Sequence, residues 1–535
     1  MTSTRPDKRV DVAIAGGGHN GLVAAFYLAR AGLSVHLVEA RPVLGGAAVT
    51  QEFHPGFRNS LASYTVSLLH PRVIRDMDLP RHGLTIRERP QDNMLLSPDG
   101  GVLHVPSDRA AFQREVAKIC PDDAATLPAY DAWLTEAADV LRALALAPPP
   151  DTGGDLLAML RAGRLARQLW TLPPRTQSAL LQLFTASAAE VLDQWFRHDR
   201  VKALFAFDSV VGSFTTPEAP GSAYVLLHHC FGEVNGKRGA WGHAMGGMGA
   251  ITQAMARAAG EAGAVLETGA PVARIRVQKG RADGLELTDG RTIQARHVLA
   301  ALGPKPLFTR LMDEKDVPGD FLAAMRRFKT ESASLRINLA LDRLPDFTAA
   351  KGPGPHLTGG IIVGGGMDYL HNAHESARRH GWSKAPVVEM LIPSTLDPSL
   401  APEGKHVASL FCQHFRYDLP EGHWDDFRDQ AADHAIDTVA AHAPELRDSI
   451  LARQVLSPLD LERTLGLAGG DIFHGALTLN QLFAARPALG AARYRMPVAG
   501  LYLGASGAHP GGGVSGLPGH NAAHALLQDR RLLPF

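Results

Sequence analysis

The sequence predicts an α/β fold of the Rossmann type, and glycine-rich turns near both ends of the chain indicate it. Near the start, the apolar run Val10–Ala15 leads into a G-x-G-x-x-G turn, and a helical pattern follows that ends at Gly32. Near the end, residues 500–504 lead into a second glycine-rich loop, after which a helix is again predicted. A strand, a glycine-rich turn and a helix in this order form the phosphate-binding element of doubly wound sheets.

The first turn carries the full pattern of a dinucleotide-binding unit. Gly16 permits the tight turn, Gly18 lets the backbone approach a pyrophosphate, and Gly21 lets the helix pack closely on the strand. The second strand ends at Glu39, whose carboxylate can accept hydrogen bonds from ribose hydroxyls. The free N–H groups of the helix N-terminus favour phosphate. We therefore predict that a dinucleotide is bound by Gly16, Gly18, His19, Asn20, Gly21 and Glu39.

The residues after Glu39 indicate which dinucleotide is bound. Arg41 lies just past the acid, and the pair Gly45 and Gly46 comes before Ala47. This pattern resembles the flavoprotein fold shared by amine oxidases and carotenoid desaturases, in which a second glycine turn lies against the FAD pyrophosphate. Many relatives carry Arg directly after the glycine pair. Ala47 stands there in this chain, and Arg41 is the candidate to supply the missing charge. The resemblance implies FAD contacts from Ala40, Arg41, Gly45, Gly46 and Ala47.

The C-terminal loop carries the same resemblance further. Residues 500–523 resemble the C-terminal FAD-binding motif of the phytoene desaturase-like family. The nearest branch holds the desaturase-type beta-carotene ketolases and the pyridine nucleotide-disulfide oxidoreductase domain-containing proteins. Shared landmarks also include residues 246–249 and 469–474, and the resemblance runs from about Val10 to about Leu527. It implies further FAD contacts from Val272, at the adenine end, and from Gly504, Ala505, Pro510, Gly512, Gly513 and Val514.

The predicted domains are built from separated segments. We predict a Rossmann-type FAD-binding domain and a mixed α+β substrate domain with a helical part. The FAD-binding domain is assigned to residues 1–106, 236–306 and 461–535, and the substrate domain to residues 107–235 and 307–460.

Apolar spacing predicts the elements of the substrate domain. Helical periodicity covers residues 122–146, 156–170 and 177–196, and each run is bounded by prolines or a change of pattern. Alternating strands are predicted near residues 335–341 and 387–392, and an amphipathic helix covers residues 424–441.

Two histidines are candidates for chemistry beside the flavin. His509 lies in the loop expected to cross near the flavin ring, where it could hydrogen-bond the flavin or polarise a substrate. The alternative is that His509 fixes the loop beside Pro510. His474 follows a Gly–Gly pair and is the candidate for the substrate side. The sequence shows no Ser-His-Asp order, H-E-x-x-H motif or Walker loop.

Two other patterns are interpreted as structural rather than functional. Residues 228–230, His-His-Cys, are predicted on a strand, where adjacent side chains point to opposite faces and do not converge on a metal. We predict no metal site. Residues 361–368 resemble a second dinucleotide loop, but Tyr369 stands at the third glycine position and no helix with a trailing acid is predicted in register.

Composition excludes several classes of function. The chain has 535 residues, and 54 basic side chains balance 54 acidic ones, so a nucleic-acid partner is not expected. Its three cysteines, Cys120, Cys230 and Cys412, form no C-x-x-C pair, which argues against a flavin–dithiol relay.

The location of the protein is predicted from its apolar segments. No signal peptide is expected before the first strand, and no apolar run reaches the roughly 18 residues of a membrane span. Residues Leu156–Trp170 combine an apolar face with three arginines, as an interfacial helix does. The prediction is a cytoplasmic protein that is free or peripherally attached to a membrane, with an ordinary solvated helix face as the alternative.

These observations favour an FAD-dependent oxidoreductase. The expected step removes a hydride from a C–H bond, and a diffusible acceptor, O₂ or a quinone, reoxidises the flavin, because no second Rossmann unit for NAD(P)H is apparent. The family resemblance implies a hydrophobic substrate of the isoprenoid or carotenoid kind. Two alternatives stay open at this point, an amine oxidase-like enzyme that acts on a polar amine and a flavin-fold protein that acts mainly as a partner-binding module.

Overall fold

The glycine turn at the start of the chain joins a strand whose last four residues are buried to a helix that is buried along most of its length. A computed structural model describes residues 9–150, 156–230 and 232–532. The described residues form twenty strands: β1 Val10–Ala15, β2 Val35–Val38, β3 Thr50–His54, β4 Phe57–Ser60, β5 Ile86–Glu88, β6 Gln91–Leu96, β7 Val102–Pro106, β8 Glu233–Val234, β9 Lys237–Arg238, β10 Gly242–Ala244, β11 Val265–Glu267, β12 Val272–Gln278, β13 Arg281–Leu287, β14 Thr292–Ala300, β15 Leu335–Leu341, β16 Gly360–Val363, β17 Val388–Leu391, β18 His406–Cys412, β19 Ile450–Leu456 and β20 Leu501–Leu503.

The described residues also form α-helices and short 3₁₀ helices. The seventeen α-helices are α1 His19–Arg30, α2 Pro71–Asp76, α3 Arg109–Ala117, α4 Pro121–Ala145, α5 Leu156–Trp170, α6 Pro174–Thr185, α7 Ala188–Trp195, α8 Asp199–Phe207, α9 Ser222–Cys230, α10 Gly249–Glu261, α11 Pro304–Arg310, α12 Gly319–Arg327, α13 Met367–His380, α14 Trp424–Ala440, α15 Leu446–Ser449, α16 Pro458–Leu465 and α17 Leu517–Leu532. Short 3₁₀ helices lie at Glu314–Asp316, Pro355–Thr358, Pro393–Thr395, Pro398–Leu400, Ala468–Gly470, Leu479–Gln481 and Phe483–Ala485.

The first sheet has the Rossmann arrangement that the sequence predicts. Its strands lie in the order β11-β2-β1-β14-β13-β12, and β20 pairs with the end of β14. The central pairs are parallel, with Ile14 opposite Leu37 on one side and Leu299 on the other. Helices α1, α10 and α17 cover this sheet. The buried apolar residues of β1, β14 and α1 form one core with them.

The second sheet is mostly antiparallel and holds the predicted substrate domain together. Its strands lie in the order β19-β15-β18-β17-β16-β6-β7, and only the β16–β6 pair is parallel among these neighbours. Strands β6 and β7 lie within residues 1–106, the first predicted segment of the FAD-binding domain. By sheet pairing, that segment contributes strands to both sheets, and the domain boundaries stay a prediction.

A helical block forms a third layer. Helices α4 and α6 to α9 pack around a cluster of aromatic rings, in which Tyr130 lies 5.0 Å from Phe196 and 4.9 Å from Phe205. The predicted helix over 177–196 is two helices, because Ser187 caps α7 with a reciprocal bond to Glu190 and thereby starts a new helix.

Two local predictions are wrong, and a third concerns the loop at Gly364. Residues 228–230 lie at the end of helix α9 and not on a strand, because a short apolar run does not distinguish a buried helix from a buried strand. Strands β15 and β17 do not alternate; every residue in them is buried, since both faces of the second sheet are covered. A helix, α13, does follow the loop at Gly364, but β17 returns antiparallel to β16, so the unit is not a parallel βαβ crossover.

None of the helices described here combines the length and the apolar character needed to cross a bilayer. Helix α5 spans the range predicted for it, Leu156–Trp170.

The close crossing of helices α1 and α17 can be tested at Gly519. A Cβ added at Gly519 in α17 would lie 2.0 Å from the carbonyl oxygen of Asn20 in α1, so the two helices cross in backbone contact. Gly519→Ala should lower the free energy of unfolding by about 1–3 kcal/mol, as overpacking does. Gly260→Ala, on the exposed end of α10 with open space around it, should instead raise the free energy by about 0.5–1 kcal/mol. Denaturant unfolding of both variants measures this, and equal effects would contradict the close crossing.

Candidate functional site

A single cavity brings together most of the residues that the sequence selected. It begins at the carboxyl end of the first sheet and extends to the second sheet and the helical block. The predicted residues that line it are Gly16, Gly18, His19, Asn20, Glu39, Ala40, Arg41, Gly46, Ala47, Val272, His474, Ala505, Gly513 and Val514.

The two glycine turns meet backbone to backbone at one wall of this cavity. Gly18 and Gly45 form an isolated parallel bridge, and the Gly45 N–H donates to the carbonyl oxygen of Gly17 at 2.9 Å. Gly46 has φ +59°, and a Cβ added there would lie 2.9 Å from the Gly18 Cα. A side chain at Gly46 would push the turns apart, so a glycine is required at that position for the cradle to form.

Three predicted contacts support the cavity from behind rather than line it. A Cβ at Gly21 would lie 2.1 Å from the Gly16 carbonyl oxygen, and one at Gly45 would lie 2.6 Å from Val49. Gly504 packs in the same way against Leu299. These glycines set the spacing of the turn, the helix and the strands that carry the lining residues.

The acid and the base beyond β2 fix the shape of the first turn. The Glu39 carboxylate, which is 8% exposed, accepts from the Gly17 N–H at 2.8 Å and from the Arg41 N–H at 3.0 Å. The Arg41 side chain folds back and donates to the Gly46 carbonyl oxygen at 2.6 Å. Burial lowers the pKa of Arg41, and Glu39 opposes that shift. Arg41 thus joins the two glycine turns and places a guanidinium on the cavity wall.

Helix α1 presents its N-terminus to the cavity. Its first residue outside the helix, Gly18, provides no side chain to cap the N–H groups of the first turn. Asn20 instead donates to the Ser506 hydroxyl at 3.2 Å, which ties this turn to the C-terminal loop. An uncapped helix N-terminus beside glycine turns fits a pyrophosphate. The donor set, the cradle and Glu39 together fit FAD.

His474 faces the cavity as the sequence predicts. It is half-buried, lies at φ +57°, and its Nδ1 finds no hydrogen-bond partner within the described chain. Burial lowers its pKa to about 4, and burial lowers the pKa of the neighbouring His19 to about 3. Both imidazoles are therefore neutral at pH 7. The assignment of His474 to the substrate side stays a prediction that its position favours.

His509 lies behind the cavity wall. It is 3% exposed, and its Nε2 lies 3.1 Å from the carbonyl oxygen of Leu144 in the last turn of α4. Burial lowers its pKa to about 4. Pro510 and Gly512 line a smaller neighbouring cavity of about 220 Å³. This geometry favours the alternative in which His509 fixes the loop against the helical block; a catalytic role stays a prediction without a contact to the cavity.

Arg486 is a residue that the sequence did not reveal. It is fully buried. Its guanidinium donates to backbone carbonyl oxygens, including the oxygens of Phe473 and Ser506, each at 2.8 Å. Further bonds reach Gly475 and Gln481, both at 3.2 Å. Burial lowers its pKa to about 10. Arg486 thus clamps two loops that line the cavity, and no motif marks an arginine that acts through backbone carbonyls.

The far end of the cavity was also missed by sequence reasoning. It mixes apolar and polar side chains from three layers of the fold, and its rings include Tyr64 and Phe411, whose centroids are 5.1 Å apart. The residues are Ala62, Ser63, Tyr64, Thr65, Ser67, Leu68, Val211, His228, His229, Trp241, Phe411, Leu465, Leu467, Ile472 and Phe473.

Other candidate sites do not compete with this cavity. A second cavity of about 840 Å³ has a charged rim that includes Lys305, Arg310 and Glu462, but neither glycine turn reaches it. The described residues contain no group of three or more His, Cys, Asp or Glu side chains arranged to hold a metal ion. The three cysteines, all within the described ranges, are free, and none of them lines the cavity.

Comparisons with known proteins identify the family of the chain. Residues 21–363 match the family described as flavin containing amine oxidoreductase. The chain belongs to the flavin-containing amine oxidoreductase family. It is therefore an FAD-dependent oxidoreductase, and the predicted family, fold class and cofactor are confirmed.

Two relatives and one solved structure are similar to this chain along nearly its whole length. The chain is 42% identical to pyridine nucleotide-disulfide oxidoreductase domain-containing protein 2 of Mus musculus, over 97% of this chain and 93% of that protein. It is 28% identical to hydroxyneurosporene desaturase of Cereibacter sphaeroides, over 97% of each. The solved structure of wild-type putrescine oxidase bound to putrescine has a TM-score of 0.58 at 15% identity and covers 99% of this chain and 100% of that one.

Gly18→Val tests the assignment of the cradle. Gly18 has φ −70°, which valine tolerates, and its added Cβ would lie 3.7 Å from Gly46, so the variant should fold. Its side chain would project between the two turns and displace the pyrophosphate. We expect protein that unfolds near the wild-type temperature and has lost nearly all flavin absorbance. Gly260→Val, in open space, is the control and should keep its flavin. Full flavin retention in Gly18→Val would contradict the site.

Proposed function

We propose that this oxidoreductase removes a hydride from a C–H bond of a largely hydrophobic substrate of the isoprenoid or carotenoid kind. The supporting observation is the wall of the cavity beyond the glycine turns. Leucine, isoleucine, valine and aromatic side chains make up much of it, notably Val211 of the helical block, Phe411 of the second sheet and Ile472. Hydroxyneurosporene desaturase, among the relatives, carries a carotenoid in its name.

The chain's own residues would hold and orient the reactants rather than move protons in the chemical step. FAD, when bound, supplies the two-electron acceptor. The glycine turns, Glu39 and the N-terminus of α1 would hold its adenosine diphosphate part. His19 and His474 are neutral because burial lowers their pKa values, so they offer imidazole hydrogen bonds without adding charge. The apolar wall would exclude water and seat the C–H bond.

A diffusible acceptor, O₂ or a quinone, is proposed to reoxidise the flavin. The loop at Gly364 is the segment of the sequence most similar to a second dinucleotide turn. It lies in the second sheet, and the strand after its helix runs antiparallel to the strand before it. A nicotinamide-binding unit has parallel strands, so this loop does not supply an internal electron partner.

An amine substrate is the second candidate. The observation in its favour is the pair of rings Tyr64 and Phe411 on the cavity wall, because aromatic faces attract a cationic amine. Putrescine oxidase is a structural neighbour. The third interpretation, a partner-binding module, is not the one that the family membership supports.

Anaerobic reduction of the flavin separates the two substrate classes. Holoenzyme is mixed without O₂ with phytoene in detergent or with putrescine, and the bleaching of the visible flavin absorbance is followed by stopped flow. Because the cavity wall is apolar, we expect phytoene or a comparable isoprenoid to reduce the flavin at least tenfold faster than putrescine. Faster reduction by putrescine would overturn the hydrophobic-substrate proposal in favour of the amine.

Helix α5 is proposed as a peripheral contact with a membrane, which would give access to a lipophilic substrate. Leu160 is 54% exposed and Trp170 is 82% exposed. Gln177 of α6 donates to the Trp170 carbonyl oxygen at 3.0 Å and joins the two helices, and Leu181 of α6 is 66% exposed. The side chains of Arg164 and Arg167 are also exposed, whereas the Arg161 side chain lies outside the described set.

Liposome co-sedimentation tests this contact. Changing Arg161, Arg164 and Arg167 together to Gln should weaken binding to anionic vesicles at least threefold at low salt, because each basic side chain near the surface contributes about 1 kcal/mol. Binding of the wild type should also weaken as salt rises, since the Debye length falls from about 10 Å at 0.1 M to about 3 Å at 1 M.

The matched control changes three exposed arginines elsewhere, Arg81, Arg326 and Arg379, to Gln. This control loses the same three positive charges as the α5 variant, and it should bind vesicles as tightly as the wild type. Equal binding by the wild type and the α5 variant would leave α5 as an ordinary surface helix.

A further inference from the structure

One row of side chains crosses the second sheet beneath the far end of the cavity. Arg336 of β15 lies opposite Phe411 of β18, and Phe411 lies opposite Glu389 of β17. Residues in register on adjacent strands share a face of the sheet, and Phe411 lines the cavity. The sheet therefore carries Arg336, Phe411 and Glu389 side by side on the face that is directed toward the far end of the cavity.

Tyr64 lies on this row and is fixed by all three residues. Its ring centroid is 5.1 Å from that of Phe411, and the Arg336 guanidinium carbon is 4.5 Å from the Tyr64 ring centroid. Its hydroxyl donates to the Glu389 carboxylate. Tyr64 itself lines the cavity and is half-buried, whereas Glu389 is 7% exposed. Tyr64 and Phe411 are therefore the members of this row that line the cavity.

The acid is built into the sheet. A Cβ added at Gly360 on the neighbouring strand β16 would lie 2.5 Å from Oε1 of Glu389, so the glycine makes room for the carboxylate. Burial raises the pKa of Glu389, while the Tyr64 hydroxyl and the charges of Arg89 and Arg336 oppose that shift. Arg336 is 1% exposed and donates to the Ser409 hydroxyl at 2.5 Å, and its Nη1 finds no hydrogen-bond partner within the described chain.

The charges around Tyr64 sum to a positive value. Arg89 and Arg336 are both buried guanidinium groups, and Arg89 donates to the hydroxyl of Thr65 on the cavity wall at 2.5 Å. Glu389 is one carboxylate against these two cations. Asp208 is a second carboxyl close enough to interact with Glu389, and burial raises its pKa to about 7, so it is only partly ionised at neutral pH. Nearby His228 and His229 have pKa values lowered by burial and carry no charge.

We propose that Tyr64 contacts the substrate and accepts a hydrogen bond from a hydroxyl group carried by an otherwise apolar molecule. The inference rests on the proposed function, since it names the chemistry of the substrate's polar end. Because the Tyr64 proton is donated to Glu389, the phenol oxygen is free only to accept. A substrate carboxylate has no proton to give, and an ammonium group would enter a site of positive net charge. A neutral hydroxyl satisfies both conditions.

Tyr64 is then a residue that touches substrate, whereas Glu389 and Arg336 are positioning residues. Glu389 fixes the direction of the phenol O–H bond, and Arg336 holds the plane of the ring. This assignment gives the cavity an element of specificity for the polar end of the substrate.

The experiment measures binding to holoenzyme by isothermal titration calorimetry, with four probes that share one alkyl chain: octan-1-ol, 1-chlorooctane, octylamine and octanoate. The wild type should bind octan-1-ol about five- to tenfold more tightly than 1-chlorooctane, which is the effect of one neutral hydrogen bond in a buried site. It should also bind octan-1-ol more tightly than octylamine or octanoate. Tighter binding of octylamine or octanoate would overturn the hydroxyl assignment.

Variants identify the residue responsible. Tyr64→Phe keeps the ring and should reduce the ratio of octan-1-ol to 1-chlorooctane affinity to about one. Tyr502→Phe is the matched control, because Tyr502 on β20 also donates to a carboxylate, Asp529, at 2.7 Å but lies away from the cavity. Its affinity ratio should equal that of the wild type. Glu389→Gln should lower the ratio about twofold, because a neutral amide orients the phenol less strongly.

An unchanged ratio in Tyr64→Phe would overturn the proposal, and an unchanged ratio in Glu389→Gln would overturn the positioning role. Flavin content and reduction by phytoene are measured on the same preparations. If phytoene fails to reduce the wild-type flavin while the affinity ratio responds to Tyr64→Phe, the proposed reaction fails and the hydroxyl contact stands. If phytoene reduces the wild-type flavin and the affinity ratio is unchanged in Tyr64→Phe, the proposed reaction stands and the hydroxyl contact fails.

Discussion

The contact between the two glycine turns is the constraint on which the site depends. Gly18 and Gly46 approach so closely that a single Cβ at Gly46 would lie 2.9 Å from the Gly18 backbone. This approach aligns the uncapped N-terminus of α1 with the Gly45–Gly46 turn and leaves backbone groups as the lining of the cradle. Glu39 and Arg41 then hold the two turns in place through bonds to Gly17 and Gly46. The cradle is thus stabilised by residues that also line the cavity.

The remaining walls depend on long-range clamps. Arg486 joins the loop of Phe473 to that of Ser506 through carbonyl oxygens, and Asn20 joins Ser506 to helix α1. A buried guanidinium that has to satisfy several donors fixes the relative position of the loops it bonds, because an unpaired donor there is costly. His509 performs a related task at Leu144, where it ties the C-terminal loop to the helical block.

The electrostatics of the cavity differ between its ends. The cofactor end offers helix N–H groups and Arg41, which suit a pyrophosphate. Around the middle, His19 and His474 stay neutral because burial opposes protonation. The far end combines an apolar wall with the buried group formed by Tyr64, Glu389 and Arg336. A cavity with few ionised groups on its surface suits an oxidoreductase in which the cofactor carries the chemistry and the protein controls orientation and water.

The sequence by itself determined what is local: the βαβ unit, its terminal acid Glu39, the Gly45–Gly46 turn and the C-terminal glycine loop. These features depend on neighbours within a few residues, so spacing is sufficient to reveal them. Only the tertiary structure decided that β6 and β7 join the second sheet, that Arg486 clamps the loops, and that Tyr64 meets Glu389. Tyr64 and Glu389 are 325 positions apart in the chain. Their contact arises from strand pairing and sheet packing, and a single sequence carries no periodic or motif signal for such a distance.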